Sequence, residues 1–442
     1  AVFYQIFPDR FYNGDPSNDV QNNEYTRKGY PTLQRKWGEE PYPWSEAGSM
    51  DFFGGDLQGI TQKLGYLQEL GVTAIYLCPI FEALSNHKYD ITDYHNVDSH
   101  FGGNQALVEL RAETEKRGIK LMLDVTTNHC GYAHPWVKAV MDNPDADTAE
   151  FFYRDIKTNE FEYWLGVPSL VKLNYTSQRL RDRMYRDEDS ALRQWLQPPY
   201  SIDGWRMDVA NMTGNRALGQ LDHDVWHEMR SYLKQDNPEA YLLGEYFPDG
   251  TPHTQGDELD ATMNYQGFNT PMRRWLGAAD LAHHDKHPYS DTHLLPTEAL
   301  AEQWDRFMAV TPYPVVLQQF NQLDSHDTTR LLDVVGGDVA LAKMGLALLI
   351  AFPGVPCIYY ATEIHMEGGK DPHNRRTMRW DERSWDQDLL AYTKQLIALR
   401  KESHTLKHGG FKVLHAQGDL VAFGRMSTDA TMIVVGYRGS EI

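Results

Sequence analysis

Four carboxylates stand where a short apolar run gives way to polar residues. They are Asp124 in Leu-Met-Leu-Asp-Val, Asp208 in Gly-Trp-Arg-Met-Asp-Val, Glu245 in Leu-Leu-Gly-Glu-Tyr-Phe and Asp327 in Gln-Leu-Asp-Ser-His-Asp. Taken singly, each reads as a helix cap or a solvated loop acid. Arg206 and Asp208 are two apart on a predicted strand, so their side chains emerge on one face, where the guanidinium favours the charged carboxylate that a nucleophile needs. Glu245 lies between Leu-Leu-Gly and Tyr-Phe, surroundings that disfavour charge and hold a proton for delivery. One carboxylate that attacks and another that protonates the departing oxygen are the two parts of a retaining glycosidase. The plainer reading of Arg206 and Asp208 is a structural strand pair.

Residues this far apart share a site only if the fold collects strand ends at one mouth. One local unit recurs along the chain: an amphipathic helix, a glycine or proline stop, then a buried strand. Leu57, Ile60, Leu64, Leu67 and Leu70 repeat at helical spacing, Gly71 stops the helix, and 72–80 reads as a strand. Residues 106–117 form the next helix, Gly118 ends it, and 119–125 form a strand running into Thr126, Thr127, Asn128 and His129. Helix 225–234 precedes strand 241–243, and helix 339–352 precedes strand 355–360. Further strands are predicted at 2–7, 204–209, 261–265 and 318–323. Helices alternating with buried strands mean parallel βαβ units, and eight such strands predict an α/β fold, a (β/α)8 TIM barrel with its active site at the C-terminal strand ends.

The stretch from His129 to Gly204 lacks the repeat and reads as an insertion after the third strand, forming one wall of the cleft. Beyond a helix at 389–400, residues 410–435 alternate apolar and polar at strand period, the start of a C-terminal antiparallel β-domain in which the sequence stops. The expected division is a catalytic barrel of 1–129 and 177–403, an inserted domain of 130–176, and the β-domain from 404 to 442.

With 42 basic and 62 acidic side chains the formal charge is −20, which argues against a nucleic-acid partner or an anionic membrane surface. The mean hydropathy is −0.57, and no apolar run approaches the ~20 residues that span a bilayer. A neutral small molecule is the expected partner. The three cysteines, Cys78, Cys130 and Cys357, make neither a disulfide framework nor a zinc site, which fits a reducing, cytoplasmic compartment. Ala1 to Arg10 carry no leader pattern, and the absence of an initiator Met suggests a trimmed chain.

Across nearly its whole length the sequence resembles the α-amylase family of glycoside hydrolases. The stretches Asp124-Val-Thr-Thr-Asn-His129, Gly204-Trp-Arg-Met-Asp-Val-Ala210, Gly244-Glu245 and Ser325-His-Asp327 look like that family's four signature regions in order. The resemblance implies Asp208 as nucleophile, Glu245 as acid/base and Asp327 as the carboxylate that holds sugar hydroxyls. It implies that His129, Arg206 and His326 line the same subsite, that Tyr89 stacks on the sugar, and that Asp371 and Arg375 hold its far hydroxyl. Asp124 is expected to be mainly a support. Ser169-Leu-Val-Lys-Leu-Asn174 resembles the segment marking neopullulanases, cyclomaltodextrinases and maltodextrin glucosidases. Val209-Ala-Asn-Met and Gly244-Glu-Tyr-Phe247 are closer to the glucosidase versions, while Ala361-Thr-Glu363 replaces the more usual Gly-Asp-Glu.

Asn13-Gly-Asp-Pro-Ser-Asn-Asp19 packs oxygen donors into a tight loop, which by composition is a turn and by ligand chemistry suits a hard cation. The resemblance implies a structural calcium ion on Asn13, Asp15, Asn18, Asp19, Gly54 and Asp56. No redox cofactor is expected. Hydrolysis of α-1,4 links in short maltodextrins is therefore the favoured expectation. A neopullulanase or cyclomaltodextrinase with transglycosylation is the alternative, and a non-catalytic carbohydrate- or protein-binding member of the fold is the rival from another class. In the relatives an N-terminal β-domain often completes the cleft through dimerisation; this chain would lack it, and a homodimer is kept only as one expectation.

Overall fold

The computed structural model describes residues 1–155, 157–216, 220–277 and 294–439. Eight parallel strands make one sheet: β1 Phe3–Ile6, β2 Ala74–Leu77, β3 Lys120–Thr126, β4 Gly204–Asp208, β5 Tyr241–Gly244, β6 Ala261–Thr262, β7 Phe320–Gln322 and β8 Val355–Tyr359. They are ordered β6-β5-β4-β3-β2-β1-β8-β7. Met263, just past β6, bridges Phe320 of β7 in parallel, so the two edges meet and the sheet closes into a barrel. All eight strands expected from sequence are present, most of them shorter. Strand β6 keeps only two residues because the Asn264 side chain accepts from Gly267 N–H and turns the chain into a wide helical turn at Tyr265–Asn269.

The period-two alternation of the strands sorts their side chains. Phe3, Tyr76, Met122, Leu243 and Phe320 share one apolar cluster inside the barrel. Tyr4, Ile75, Leu121, Trp205 and Met207 belong to the layer packed against the helices. Helix 57–70 is split into α1 Leu57–Gln62 and α2 Leu64–Leu70, because the N–H of Lys63 is shared among carbonyls of the preceding turn. The other helices used below are α3 Gly103–Lys116, α4 Asp222–Asp236, α5 Thr297–Val310, α6 Val339–Ala351 and α7 Gln387–Glu402. Among the described residues no helix is long and apolar enough to cross a membrane.

After β3 the chain leaves the barrel, and His129–Gly131 pairs antiparallel with Leu170–Lys172 around the helix Pro135–Asp142. At the other end, β9 Gly410–Gln417, β10 Leu420–Met426 and β11 Thr431–Tyr437 form an antiparallel sheet. Its Phe411 and Phe423 pack against Trp304 of α5 and Phe352 at the end of α6. Cys78, Cys130 and Cys357 are buried and unpaired.

Candidate active site

Strand register brings the first charges together. Arg206 on β4 is the direct neighbour of Asp124 on β3, and Asp208 is the neighbour of Thr126. Residues 206 and 208 are two apart, so both point into the barrel mouth. Arg206 Nη1 donates to Asp208 Oδ1 at 2.7 Å and to Asp124 Oδ1 at 3.0 Å. Its Nη2 lies 2.9 Å from Glu245 Oε1, an ion pair without hydrogen-bond alignment. Glu245 follows β5, and its N–H continues the ladder by bonding to Met207 O. One fully buried guanidinium therefore serves three carboxylates.

This changes one reading made from sequence. Arg206 was expected to hold Asp208 in its charged form by itself, but its charge is divided. Burial and the facing Glu245 push the Asp208 carboxyl well above the ordinary range, against the pull of Arg206. Burial also raises Glu245, with Arg206 opposing and Asp327 adding to the rise. The two acids thus titrate as a pair that retains a proton above the ordinary carboxylate range. Of the two, Asp208 has the aligned, shorter bond to Arg206, which favours leaving the charge there and the proton on Glu245.

Asp124 is buried and accepts from Tyr76 Oη at 2.6 Å and Tyr89 Oη at 2.9 Å besides Arg206. It is fully engaged as a brace. Tyr89 lies 2.6 Å from His326 Nε2 through its hydroxyl, and its ring stacks on His326 at 5.5 Å between centroids. His326 Nε2 is also 3.2 Å from Asp327 Oδ2, and Arg375 Nη2 is 3.4 Å from Asp327 Oδ1. Arg375 further pairs with Asp371 at 3.3 Å and donates from Nε to His326 O at 2.8 Å. His129 is buried, and its Nε2, 3.9 Å from Asp208 Oδ2, has no hydrogen-bond partner. Burial lowers its pKa to about 3, so it stands neutral at the mouth. The structure therefore brings together all nine of Asp208, Glu245, Asp327, Tyr89, His129, Arg206, His326, Asp371 and Arg375.

Several neighbours gave no usable signal in the sequence. Trp164, from the excursion after β3, packs 5.7 Å from the His129 ring, and Trp44 donates from Nε1 to Asp371 Oδ2 at 3.0 Å. Gln5 reaches His326 Nδ1 at 2.7 Å; a polar residue in the apolar Phe3–Ile6 strand was the one available hint. Ala361 and Thr362, which stand at the departure from the usual Gly-Asp-Glu, are buried: the Ala361 N–H donates to the Tyr4 hydroxyl at 3.0 Å and Thr362 Oγ1 to Asp324 Oδ2 at 2.8 Å, so that change belongs to the packing behind β8.

The proposed cation residues divide into two groups. Asn13 Oδ1 and Asn18 Oδ1 are buried without hydrogen-bond partners, and Asp19 lies beside them. Gly54, at φ +82°, has no room for a side chain: a Cβ there would lie 2.4 Å from Asp19 Oδ1. These oxygen donors fit a hard cation. The Asp15 carboxylate instead turns outward to Ser17, capping the turn Pro16–Asn18, and the Asp56 oxygens take the N–H groups of Gly14, Asp15 and Gly59. Of the six residues expected to hold the cation, Asn13, Asn18, Asp19 and the Gly54 backbone could offer oxygens to it, while the Asp15 and Asp56 carboxylates are engaged in shaping the loop.

Residues 5–388 match the alpha-amylase catalytic domain. A cyclomaltodextrinase of Geobacillus thermopakistaniensis is 37% identical over 454 residues, covering 100% of this chain and 69% of that one. Neopullulanase 2 of Thermoactinomyces vulgaris is 34% identical over 452 residues, covering 100% and 70%. Among solved structures, the type III pullulan hydrolase of Thermococcus kodakarensis superposes with a TM-score of 0.87 at 30% identity, covering 99% of this chain and 75% of that one. The ligand-free cyclic alpha-maltosyl-(1→6)-maltose hydrolase of Arthrobacter globiformis gives 0.84 at 32%, covering 99% and 91%. By sequence and by fold, the chain belongs to the alpha-amylase family of glycoside hydrolases that act on α-glucans, and to its cyclomaltodextrinase and neopullulanase type.

Proposed function

We propose that the chain cleaves α-1,4-glucosidic links in short maltodextrins with retention of anomeric configuration. The observation that carries this reading is the single Arg206 guanidinium holding Asp208 on one nitrogen and Glu245 on the other. Two acids held by one guanidinium stand at the same point of the barrel mouth, which supports attack on a sugar by one and protonation of its leaving oxygen by the other.

In this reading Asp208 attacks the anomeric carbon, the C–O bond to the leaving sugar breaks, and Glu245 gives its proton to the departing oxygen. Glu245 then takes a proton from water as water displaces Asp208, which restores both groups. Departure of the proton strengthens the pull of Arg206 on Glu245, so one cation serves the charge wherever it resides. Asp327, braced by His326 and Arg375, would accept sugar hydroxyls, and neutral His129 would donate to one. We place Tyr89 as the ring against the bound sugar, with Asp371 and Arg375 on its far hydroxyl.

The second reading, a cyclomaltodextrinase or neopullulanase with transfer activity, is supported by the names of the relatives. Digesting maltotriose, pullulan and cyclomaltodextrin side by side separates the two. Preferential turnover of maltotriose to glucose and maltose supports the first reading; equal rates on all three support the second. An inverted product anomer, followed by NMR from the first turnover, would overturn both.

A structural calcium ion on Asn13, Asn18, Asp19 and the Gly54 carbonyl is part of the proposal. It would pin the loop after β1 and supply no chemistry to the sugar. The three unpaired cysteines and the relative named an intracellular maltogenic amylase support a cytoplasmic location. A homodimer remains our expectation, for sedimentation analysis to test.

A further inference from the structure

One exposed aromatic ring beside the candidate site takes no part in the proposed reaction. Trp44 opens the four-residue helix Trp44–Ala47 and is 44% exposed, although a large apolar ring gains most from leaving water. Its orientation is nevertheless fixed. Nε1–H donates to Asp371 Oδ2 at 3.0 Å, and one flank lies beside the His87 ring, with centroids 6.1 Å apart and planes 32° from parallel. The segment is tied on both sides of the ring: Tyr42 N–H donates to Asp51 Oδ2 at 3.0 Å, and Arg27 Nη1 donates to Gly48 O at 3.2 Å. A large ring held in place but left open has little ordering entropy to lose when a partner covers it.

Two rows of contacts run from the charged centre to this ring. In the first, the Arg206 guanidinium lies 5.8 Å from the centre of the Tyr89 ring, His87 stacks on Tyr89 at 5.8 Å, and Trp44 follows His87. Arg206 is fully buried, His87 is 9% exposed and Trp44 is 44% exposed, so the row leads outward to solvent. In the second, Asp327 meets Arg375 at 3.4 Å, Arg375 meets Asp371 at 3.3 Å, and Asp371 accepts from Trp44. Burial pushes the His87 pKa down to about 3, so the ring beside the indole is uncharged. With Asp371 and Arg375 on the far hydroxyl of the sugar that Asp208 attacks, a glucosyl unit joined at that end would meet the indole. The C–H face of a sugar covers the apolar face of such a ring.

We propose that Trp44 is the stacking platform for a second glucosyl unit, on the non-reducing side of the bond that is cut. The inference rests on the roles proposed above for Asp208, Glu245 and Asp371, and extends them: the site grips a maltosyl unit rather than a single glucosyl unit before the scissile bond. The bond from Nε1–H to Asp371 couples the platform to the grip on the first sugar. A residue that served only to brace Asp371 would have no use for an open ring.

The test compares p-nitrophenyl α-maltoside with p-nitrophenyl α-glucoside, which share a leaving group and differ by the one glucosyl unit assigned to Trp44. Release of p-nitrophenol is followed with the full chain, wild type and variants, each checked for folding by circular dichroism. In Trp44→Ala the ratio of kcat/KM for the maltoside over the glucoside should fall about 10-fold, mainly through KM. Trp44→Phe keeps a ring and loses the bond to Asp371, and should hold that ratio within about threefold of wild type. Equal losses on both substrates in both variants would make Trp44 only a brace, and a ratio that rises in Trp44→Ala would make it a wall against the second sugar. Either result, or an unchanged ratio in Trp44→Ala, overturns the proposal. If the wild type cleaves neither glycoside, the proposed hydrolysis fails by itself, and calorimetry reads the platform without catalysis. Maltose bound more tightly than glucose by the wild type but not by Trp44→Ala supports it; the same preference in both overturns it.

Discussion

The Val209 N–H donates to Glu245 Oε2 at 2.7 Å, from a residue held at φ +48°. A branched residue in the left-handed region is strained, at a cost of order 1–3 kcal/mol. The kink immediately follows Asp208, and it turns the next backbone N–H toward the partner acid. One oxygen of Glu245 is thus held by a backbone donor, while Oε1 faces Arg206 Nη2 at 2.9 Å.

Glu245→Gln keeps a carbonyl for the Val209 N–H and removes the proton. Turnover of maltotriose should fall by about 10²–10⁴-fold with Tm little changed. An aryl α-glucoside whose phenol leaves without protonation should recover much of the loss in the glycosylation step. Undiminished maltotriose turnover would show that another group supplies the proton.

Asp208→Asn should abolish turnover and stabilise the fold at neutral pH. The pair that Asp208 forms with Glu245 holds a proton above the unfolded aspartate value of about 3.9. Its contribution to stability is therefore present below the unfolded pKa and is lost as pH rises through the folded one. Arg206 keeps two carboxylates in the variant. Thermal unfolding should give a higher Tm than wild type at pH 7 and an equal one near pH ~4; a lower Tm at pH 7 contradicts this.

Burial pulls His134 down to about 3, so it stays neutral while the unfolded chain takes up a proton near the usual 6.5. The unfolded state binds more protons throughout that window, and stability falls as the solution is acidified from 6.5 toward 3. His134 accepts from Trp136 N–H at the start of the helix Pro135–Asp142, a cap that Asn can supply. His134→Asn should therefore flatten the acid limb of a urea-unfolding series by up to about 1.36 kcal/mol per pH unit. An unaltered slope would mean that the ring is charged in the folded protein.

Chelation with EGTA should lower the Tm of the wild type, and added calcium should restore it. Calcium at 100 times its dissociation constant contributes about 2.7 kcal/mol. Asp19→Ala should have the same Tm with calcium and with EGTA. A wild type indifferent to both would remove the ion from the Asn13 loop.

The sequence determined what depends on neighbours along the chain. Short buried apolar runs ending in polar residues marked the eight strands, and glycine stops at Gly71 and Gly118 marked where helices hand over to them. The same local logic set Asp124, Asp208, Glu245 and Asp327 at strand ends. Helix 57–70 broke at Lys63, and β6 shortened, because bonds made by single side chains and shared N–H groups override a periodic pattern. Only the tertiary structure decided that Met263 meets Phe320 to close the barrel. It alone divided Arg206 among three carboxylates, made His129 neutral, and brought Trp44 and Trp164 to the site. Backbone periodicity is a short-range property written into adjacent residues. Proton affinity depends on burial and on charges from distant strands, which exist only after the chain has closed.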